Sequence, residues 1–334
     1  MRRSDLIGLL GLVGLLALLV VAACAPAAGT DTRLALVAYS TPREAYAELI
    51  RAFQATPDGS GVSFDESYGG STEQARAVQE GLSADIVALS LEPDISSLVK
   101  IGLVDASWNG DPQRGMVTDS VVVLVVHKGN PRDIHDWADL VRPGVEVLTP
   151  NPFTSGGARW NLLAAYGAQL AQGSSADDAA AYLRALFAHV PVQAKSAREA
   201  LQAFVGGKSD VMLAYENEAI TAQHAGEAVD YVVPEATILI ENPVAVTARS
   251  SHPRDAGAFV SFLRTPQAQR VLGRAGYRPV LPEVAAEFEY RRPARLFTIA
   301  DLGGWPAVDS RFFDRQSGIV AELFRNQGAA VDGQ

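Results

Sequence analysis

The stretch that decides the fold is Asn151-Pro152-Phe153-Thr154-Ser155-Gly156-Gly157-Ala158-Arg159-Trp160-Asn161. An apolar run over residues 145–148 precedes it, and a helical pattern follows over residues 158–171. The prolines end the predicted strand because proline lacks a ladder donor and restrains its predecessor. The serine occupies the N-cap position, and the two glycines leave the first-turn amides uncovered. Such amides attract anions, so the stretch predicts a backbone anion cradle; an ordinary strand-to-helix connection is the alternative.

Composition limits the classes of function that the chain can have. Its 334 residues, 48% apolar and 20% charged, are enough for two globular domains with buried cores. The net charge of −10 argues against a nucleic-acid partner, which requires a basic face. Because this charge repels anions, any bound anion must be held by local, preorganised donors.

The first residues predict export. A basic start at Met1-Arg2-Arg3 is followed by an uncharged apolar run over residues 6–21 and by Val21-Ala22-Ala23-Cys24. This pattern is typical of a signal peptide over residues 1–23, with Cys24 at the position that bacterial lipoproteins acylate. A transmembrane anchor is the alternative, since the run approaches spanning length. We expect residues 24–32 to form a tether to a lipid on Cys24, outside the cytoplasmic membrane.

The rest of the chain alternates between strands and helices. Strand-like runs and helical patterns joined by glycine turns indicate an α/β fold with parallel strands. The buried runs at residues 120–127 and 243–246 flank a complete α/β set, which predicts two lobes joined by two crossings, with a ligand cleft between them. The expected boundaries are residues 33–119 and 245–300 for the first lobe, 120–244 for the second, and 301–334 for a C-terminal helix and tail.

Several segments resemble the bacterial sulfate- and thiosulfate-binding proteins of ATP-driven importers. They are Lys128-Gly129-Asn130-Pro131, Ile134-His135-Asp136-Trp137-Ala138-Asp139-Leu140, Thr149-Pro150-Asn151-Pro152, Ser155-Gly156-Gly157-Ala158-Arg159-Trp160-Asn161, Glu216-Asn217-Glu218-Ala219, Tyr277-Arg278-Pro279 and Leu296-Phe297-Thr298-Ile299. The resemblance covers residues 34–313. It implies the two-lobed periplasmic-binding-protein fold of type II and an oxyanion held without metal or cofactor.

The resemblance also implies which residues contact the ligand. These are Ser40, Ser71, Ser155, Gly156, Gly157, Ala197 and Tyr215. Ser40 stands where the family has an aspartate that offers its backbone N–H, and Tyr215 stands where it has a tryptophan that donates its indole N–H. Independently of the family, Ser71, Gly156 and Ala197 each lie where a turn leads into a predicted helix, and such positions offer unpaired N–H groups.

These observations lead to one expected function and several open alternatives. We expect a monomeric receptor that binds sulfate or thiosulfate and delivers it to the permease subunits of an importer. A pocket of donors alone would reject protonated phosphate. The substitutions at Ser40 and Tyr215 keep other tetrahedral oxyanions open, molybdate and tungstate among them. A lipoprotein that senses an anion without transport is a further alternative. We expect no catalytic residues, since neither Ser71 nor Ser155 has a histidine base in a nucleophile-elbow context.

Overall fold

The computed structural model describes residues 32–326. The predicted signal peptide, Cys24 and most of the predicted tether lie outside the described residues, as does the tail after Asn326. In the described chain, no helix is long and apolar enough to cross a membrane.

Strands and helices alternate through most of the molecule. The strands are β1 (Thr32–Tyr39), β2 (Val62–Gly69), β3 (Ile86–Ala88), β4 (Met116–His127), β5 (Val147–Pro150), β6 (Gln193–Ala194), β7 (Val211–Tyr215), β8 (Val229–Val232), β9 (Ala236–Val246), β10 (Arg278–Pro279) and β11 (Arg295–Phe297). The α-helices are α1 (Arg43–Gln54), α2 (Ser71–Gln79), α3 (Glu92–Lys100), α4 (Gly156–Ala171), α5 (Ala176–Ala188), α6 (Ala197–Val205), α7 (Glu216–His224), α8 (Pro253–Phe262), α9 (Pro266–Arg274), α10 (Pro282–Ala285), α11 (Gly304–Val308) and α12 (Ile319–Asn326).

Two long antiparallel strands run between the two halves of the sheet. The strand order is β2-β1-β3-β9-β4-β7-β5-β6, and β8, β10 and β11 pair outside this path. On one side, β1 lies parallel to β2 and β3, while on the other β5 lies parallel to β6 and β7. The central strands β4 and β9 pair with each other and with both sides. The predicted α/β fold of two lobes with two crossing strands is therefore confirmed.

The valine-rich run of β4 shows why this strand was recognisable in the sequence. Val122, Leu124 and Val126 lie in one hydrophobic core, and Val121, Val123 and Val125 lie in the core on the opposite face. A strand that is covered on both faces needs apolar side chains at successive positions rather than at alternate ones. The first lobe has two cores of its own, one on each face of its strands.

The C-terminal segment packs on the second lobe. β11 pairs with the first residues of β9, and Phe297 shares a core with α4 and α5. The Trp305 and Trp160 rings meet edge to face, with centroids 4.9 Å apart. We therefore propose that residues 295–326 belong to the second lobe, although residues 245–300 were expected in the first.

The expectation of one C-terminal helix within residues 301–334 is wrong, because the helical segment is interrupted. A short π-helix, Asp309–Phe313, ends at Asp314, and α12 begins only at Ile319. The Asp314 carboxylate accepts hydrogen bonds from the backbone N–H groups of Gln316 and Ser317, at 3.0 and 2.7 Å. Aspartate that bonds to the backbone just after it favours a turn over a helix, which explains the break.

Candidate anion-binding site

Six of the seven predicted ligand residues line one small cavity between the lobes. The empty space between its lining atoms is about 200 Å³, which includes space open to solvent. The lining residues are Tyr39, Ser40, Thr41, Gly69, Gly70, Ser71, Ser90, Ser155, Gly157, Ala197 and Tyr215. The ends of β1, β3 and β7 meet there with the beginnings of α2, α4 and α6. The arrangement agrees with the rule that ligands of α/β sheets lie beyond the carboxyl ends of strands.

Three helix N-termini point their first residues at the cavity. α2 follows an N-cap at Gly70, α4 one at Ser155, and α6 one at Ser196. The Ser196 hydroxyl caps its own helix by accepting from the Glu199 N–H at 3.2 Å. Ser155 has the predicted N-cap position, but its side chain makes no capping bond. First-turn N–H groups have no acceptor inside their own helix, so each terminus presents donors and a partial positive charge.

Two glycines allow the lobes to approach each other closely. A Cβ at Gly70 would lie 2.5 Å from the carbonyl oxygen of Thr154, and one at Gly156 would lie 2.1 Å from the Ser90 Oγ. Gly156 is the one predicted ligand residue that is not among the cavity-lining residues. Its lack of a side chain therefore serves the contact between the lobes, whereas a Cβ at Gly157 would have only ordinary contacts, at 3.5 Å or more.

The Ser71 hydroxyl already forms two hydrogen bonds within the protein. It donates to the Asp94 carboxylate at 2.5 Å and accepts from the Ser90 N–H at 2.9 Å. Burial raises the pKa of Asp94, and Arg159 and the hydroxyl donors counteract part of this rise. With its hydroxyl committed, Ser71 can offer an anion chiefly its backbone N–H at the start of α2.

The arginines near the cavity pair with other groups, although the Nε of Arg198 is buried and forms no hydrogen bond within residues 32–326. Arg198 donates from Nη2 to the Glu44 carboxylate at 2.5 Å and to the Thr41 carbonyl at 3.3 Å. Arg159 donates to Asp309 at 3.2 Å and to the Pro152 carbonyl at 3.1 Å. No charged residue is among those that line the cavity in the described chain. The walls consist of backbone and neutral hydroxyls.

The sequence did not single out Ser90, which follows β3 and is 1% exposed. Its hydroxyl and that of Tyr215 are both buried, and neither forms a hydrogen bond of standard geometry among the described residues. Burial raises the pKa of Tyr215 well above its usual value, and the neighbouring Ser90 hydroxyl and Asn242 amide offset part of this rise. The position of Ser90 at the end of a buried strand was the one sequence signal that could have identified it.

Metal binding has no support in the described chain. Residues 32–326 contain no group of three or more His, Cys, Asp or Glu side chains that could hold a metal ion.

Comparison with known proteins gives the family. A family model described as "Bacterial extracellular solute-binding protein" matches residues 34–278. The sulfate-binding protein of Synechococcus elongatus is 44% identical over 298 residues, which are 85% of each chain. The thiosulfate-binding protein of Escherichia coli is 34% identical over 299 residues, 84% of this chain and 88% of the relative. The chain belongs to the sulfate- and thiosulfate-binding family.

A solved structure of the same family supports the fold. The sulfate-binding protein SubI of Mycobacterium tuberculosis H37Rv is 48% identical, with a TM-score of 0.83. The match covers 85% of this chain and 100% of that structure. The resemblance recognised in the sequence is thus confirmed as membership in the sulfate- and thiosulfate-binding family. The relatives are named for either anion, so membership alone leaves the preferred ligand open.

Proposed function

We propose that the protein binds sulfate or thiosulfate outside the cytoplasmic membrane and delivers it to the permease of an ATP-driven importer. The single observation that carries this proposal is a small cavity with uncharged walls at which three helix N-termini meet. The names of the relatives supply the ligand class. As a member of an extracellular solute-binding family, the protein works outside the cytoplasm.

The hydrogen bonds that such a cavity can donate are strong enough to hold an anion. Each hydrogen bond to a charged group contributes roughly 1.5–3 kcal/mol. A handful of these bonds exceeds the cost of immobilising the anion and gives affinity in the micromolar range or better. In this proposal the ligand-binding residues are Ser40, Ser71, Ser155, Gly157, Ala197 and Tyr215, with Gly156 holding the lobes at the required spacing.

Hydrogen bonds across the cleft indicate that the protein would have to open to release its ligand. The Trp160 indole N–H donates to the Ser90 carbonyl at 2.8 Å, and the Glu73 N–H donates to the Thr154 carbonyl at 3.2 Å. Both bonds join opposite sides of the cavity. Opening would therefore break these contacts, and hinge motion about β4 and β9 would expose the anion.

We also infer that the protein binds its ligand without catalysing a reaction and that a lipid attaches it to the membrane. The relatives are named as binding proteins, which supports a role without catalysis. The sequence pattern ending at Cys24 supports a lipid anchor, and we infer that the protein acts as a monomer. Mass spectrometry of the membrane-extracted protein should show a diacylglyceryl group on Cys24, and a soluble product with an unmodified Cys24 would contradict the anchor.

Tyr215 stands where the resemblance places the family's tryptophan, and its hydroxyl can accept a hydrogen bond as well as donate one. This residue favours one alternative, a receptor for a larger oxyanion such as molybdate or tungstate.

Calorimetric titration of residues 25–334 with sulfate, thiosulfate, molybdate, tungstate and phosphate decides which of these anions the protein prefers. We expect micromolar or tighter binding of sulfate or thiosulfate, and binding of phosphate at least about 100-fold weaker. Binding of neither sulfur oxyanion would refute the proposed function. Loss of sulfate uptake after gene deletion separates transport from anion sensing.

A further inference from the structure

We propose that Ser90 is an additional ligand-binding residue that donates its hydroxyl to the bound anion, across the cleft from Tyr215. The inference rests on the proposed function and adds a ligand-binding residue that neither the sequence nor the family resemblance indicated. The observation behind it is a pair of neighbouring hydroxyls, one just after β3 and one at the end of β7, that line the same cavity and form no hydrogen bond of standard geometry in the described chain.

The backbone N–H and carbonyl of Ser90 both form hydrogen bonds. Among the described residues, this leaves the hydroxyl as the one polar group of Ser90 that can still donate to a ligand. The N–H donates to the Ser71 Oγ at 2.9 Å. The carbonyl accepts from the Trp160 indole at 2.8 Å and from the Asn242 amide at 3.3 Å. These bonds come from three directions and fix the position of the residue. The hydroxyl is thereby held in place before any ligand arrives.

A buried hydroxyl without a partner requires an explanation. Nearly all buried polar groups in folded proteins form hydrogen bonds, because an unmade bond leaves the desolvation cost uncompensated. Ser90 and Tyr215 are each 1% exposed. An anion in the cavity would accept from both hydroxyls and would supply the missing partner at both positions.

The other hydroxyls of the cavity wall are less available, and this sets Ser90 apart. Their partners are Tyr277 for Tyr39 and Thr41, Asp94 for Ser71, and the Arg198 N–H for Ser40. Within residues 32–326, the cavity hydroxyls that make no hydrogen bond are those of Ser90, Ser155 and Tyr215. Ser155 and Tyr215 were already expected to bind the anion, so Ser90 is the new member of this set.

The opposite side of the cleft is shaped to leave room for this hydroxyl. Gly156, the first residue of α4, would place a Cβ 2.1 Å from the Ser90 Oγ. The absence of a side chain at position 156 therefore lets the Ser90 hydroxyl reach the cavity when the lobes are closed. Since the two residues belong to opposite sides of the cleft, the hydroxyl completes the set of donors only in the closed form.

The experiment compares Ser90→Ala with the parent protein by calorimetry with sulfate and with thiosulfate. Loss of one donor to a charged acceptor should raise the Kd of the preferred anion by about 10- to 100-fold. The ligand-free Tm should stay equal or rise, because the variant removes an unpaired buried hydroxyl. A purely structural role would lower the ligand-free Tm instead. Ser83→Ala, at an exposed serine of the same lobe, is the matched control and should leave both values unchanged.

The outcomes separate this inference from the proposed function. If the parent protein binds sulfate or thiosulfate and Ser90→Ala binds it within twofold as well, the inference is wrong while the function stands. A lower ligand-free Tm together with weaker binding would also overturn it, by assigning Ser90 to packing. Should Ser90→Ala fail to fold, Ser90→Cys keeps the volume with a weaker donor, and unchanged affinity in that variant counts against the inference. A parent protein that binds neither anion removes both.

Discussion

Gly156 faces Ser90 across the cleft so closely that any side chain at position 156 would collide with the Ser90 hydroxyl, at 2.1 Å from its Cβ. The two residues are 66 positions apart in the chain. Leu91 would also be too close, at 2.8 Å. A single methyl group should therefore be enough to disturb closure of the two lobes.

The first prediction concerns this contact. Gly156→Ala should weaken anion binding by about 10-fold or more, because the closed form must absorb an overlap that costs roughly 1–3 kcal/mol. Isothermal calorimetry gives the affinity, and small-angle scattering shows whether the ligand still compacts the protein. Gly257→Ala is the matched control, since its Cβ meets nothing within 4 Å and the change is favourable inside a helix. Normal affinity in Gly156→Ala would show that the lobes tolerate a wider spacing.

The second prediction separates charge from size inside the cavity. Gly157 has room for a Cβ, with Ser155, Ala197 and Tyr215 at 3.5–3.6 Å. Gly157→Asp and Gly157→Asn add nearly the same volume, but only the aspartate adds a negative charge. We expect the aspartate variant to bind sulfate at least about 10-fold more weakly than the asparagine variant, because like charges repel strongly in a cavity of low polarity. Equal affinities of the two variants would place the anion elsewhere.

The third prediction tests whether an arginine binds the anion. The Arg198 ion pair with Glu44 closes the rim, and the two side chains are 24% and 53% exposed. Exposed pairs of this kind contribute little, so Arg198→Gln and Glu44→Gln should each change the Kd of sulfate by less than about fivefold. Competition titration at low and physiological salt measures this. A loss of more than about 100-fold in Arg198→Gln alone would mean that a cation, not neutral donors, holds the ligand.

The fourth prediction is a pH dependence of stability. Burial raises the pKa of Glu218 from 4.5 to about 7, with Arg198 lowering it and Glu44 adding to the rise. Between these two values the folded protein binds more protons than the unfolded chain, so the free energy of unfolding falls as pH rises from about 4.5 to 7. Glu218→Gln should remove this loss and stabilise the protein at pH 8 by an amount on the order of 1–3 kcal/mol, with little change at pH 4.5.

Denaturant unfolding of the parent and of Glu218→Gln at several pH values measures this effect. Glu227→Gln, at an exposed position just after α7, serves as the control, and its free energy of unfolding should lie within about 0.5 kcal/mol of the parent's throughout. A Glu218→Gln variant that is less stable than the parent at pH 8 would contradict the prediction. It would show that interactions in the folded protein outweigh the cost of burying the ionised Glu218 carboxylate.

The sequence was informative where a pattern is local. The doubly buried β4 was visible as a run of valines, and Ser71, Gly156 and Ala197 were predicted as anion contacts because a helix start has unpaired N–H groups wherever it lies. The close approach of Gly156 to Ser90 was not predicted, because Ser90 comes from a distant part of the chain. No local rule connects two residues that meet only when the lobes close.

Two other differences between the predicted and the observed structure arise because apolar periodicity was the signal used. Asp314 ends a helix that apolar periodicity alone would continue, because its carboxylate bonds to the N–H groups that follow. The destination of the C-terminal segment depends on the packing of Trp305 against Trp160 and of Phe297 beside α4, which only the folded chain reveals. Periodicity shows that a face is apolar, but it does not show which surface will cover that face.

The strands β4 and β9 pair with each other over residues 116–121 and 239–243, and together they belong to the sheet on both sides of the cleft. If either strand separated from one half of the sheet, backbone hydrogen bonds between strands would be lost. The two halves are therefore expected to move apart by bending or twisting of β4 and β9 together. The angle between the two halves then depends on whether the cavity is filled. A membrane protein that touches both halves at once can distinguish a loaded carrier from an empty one by shape alone, with no contact to the cargo.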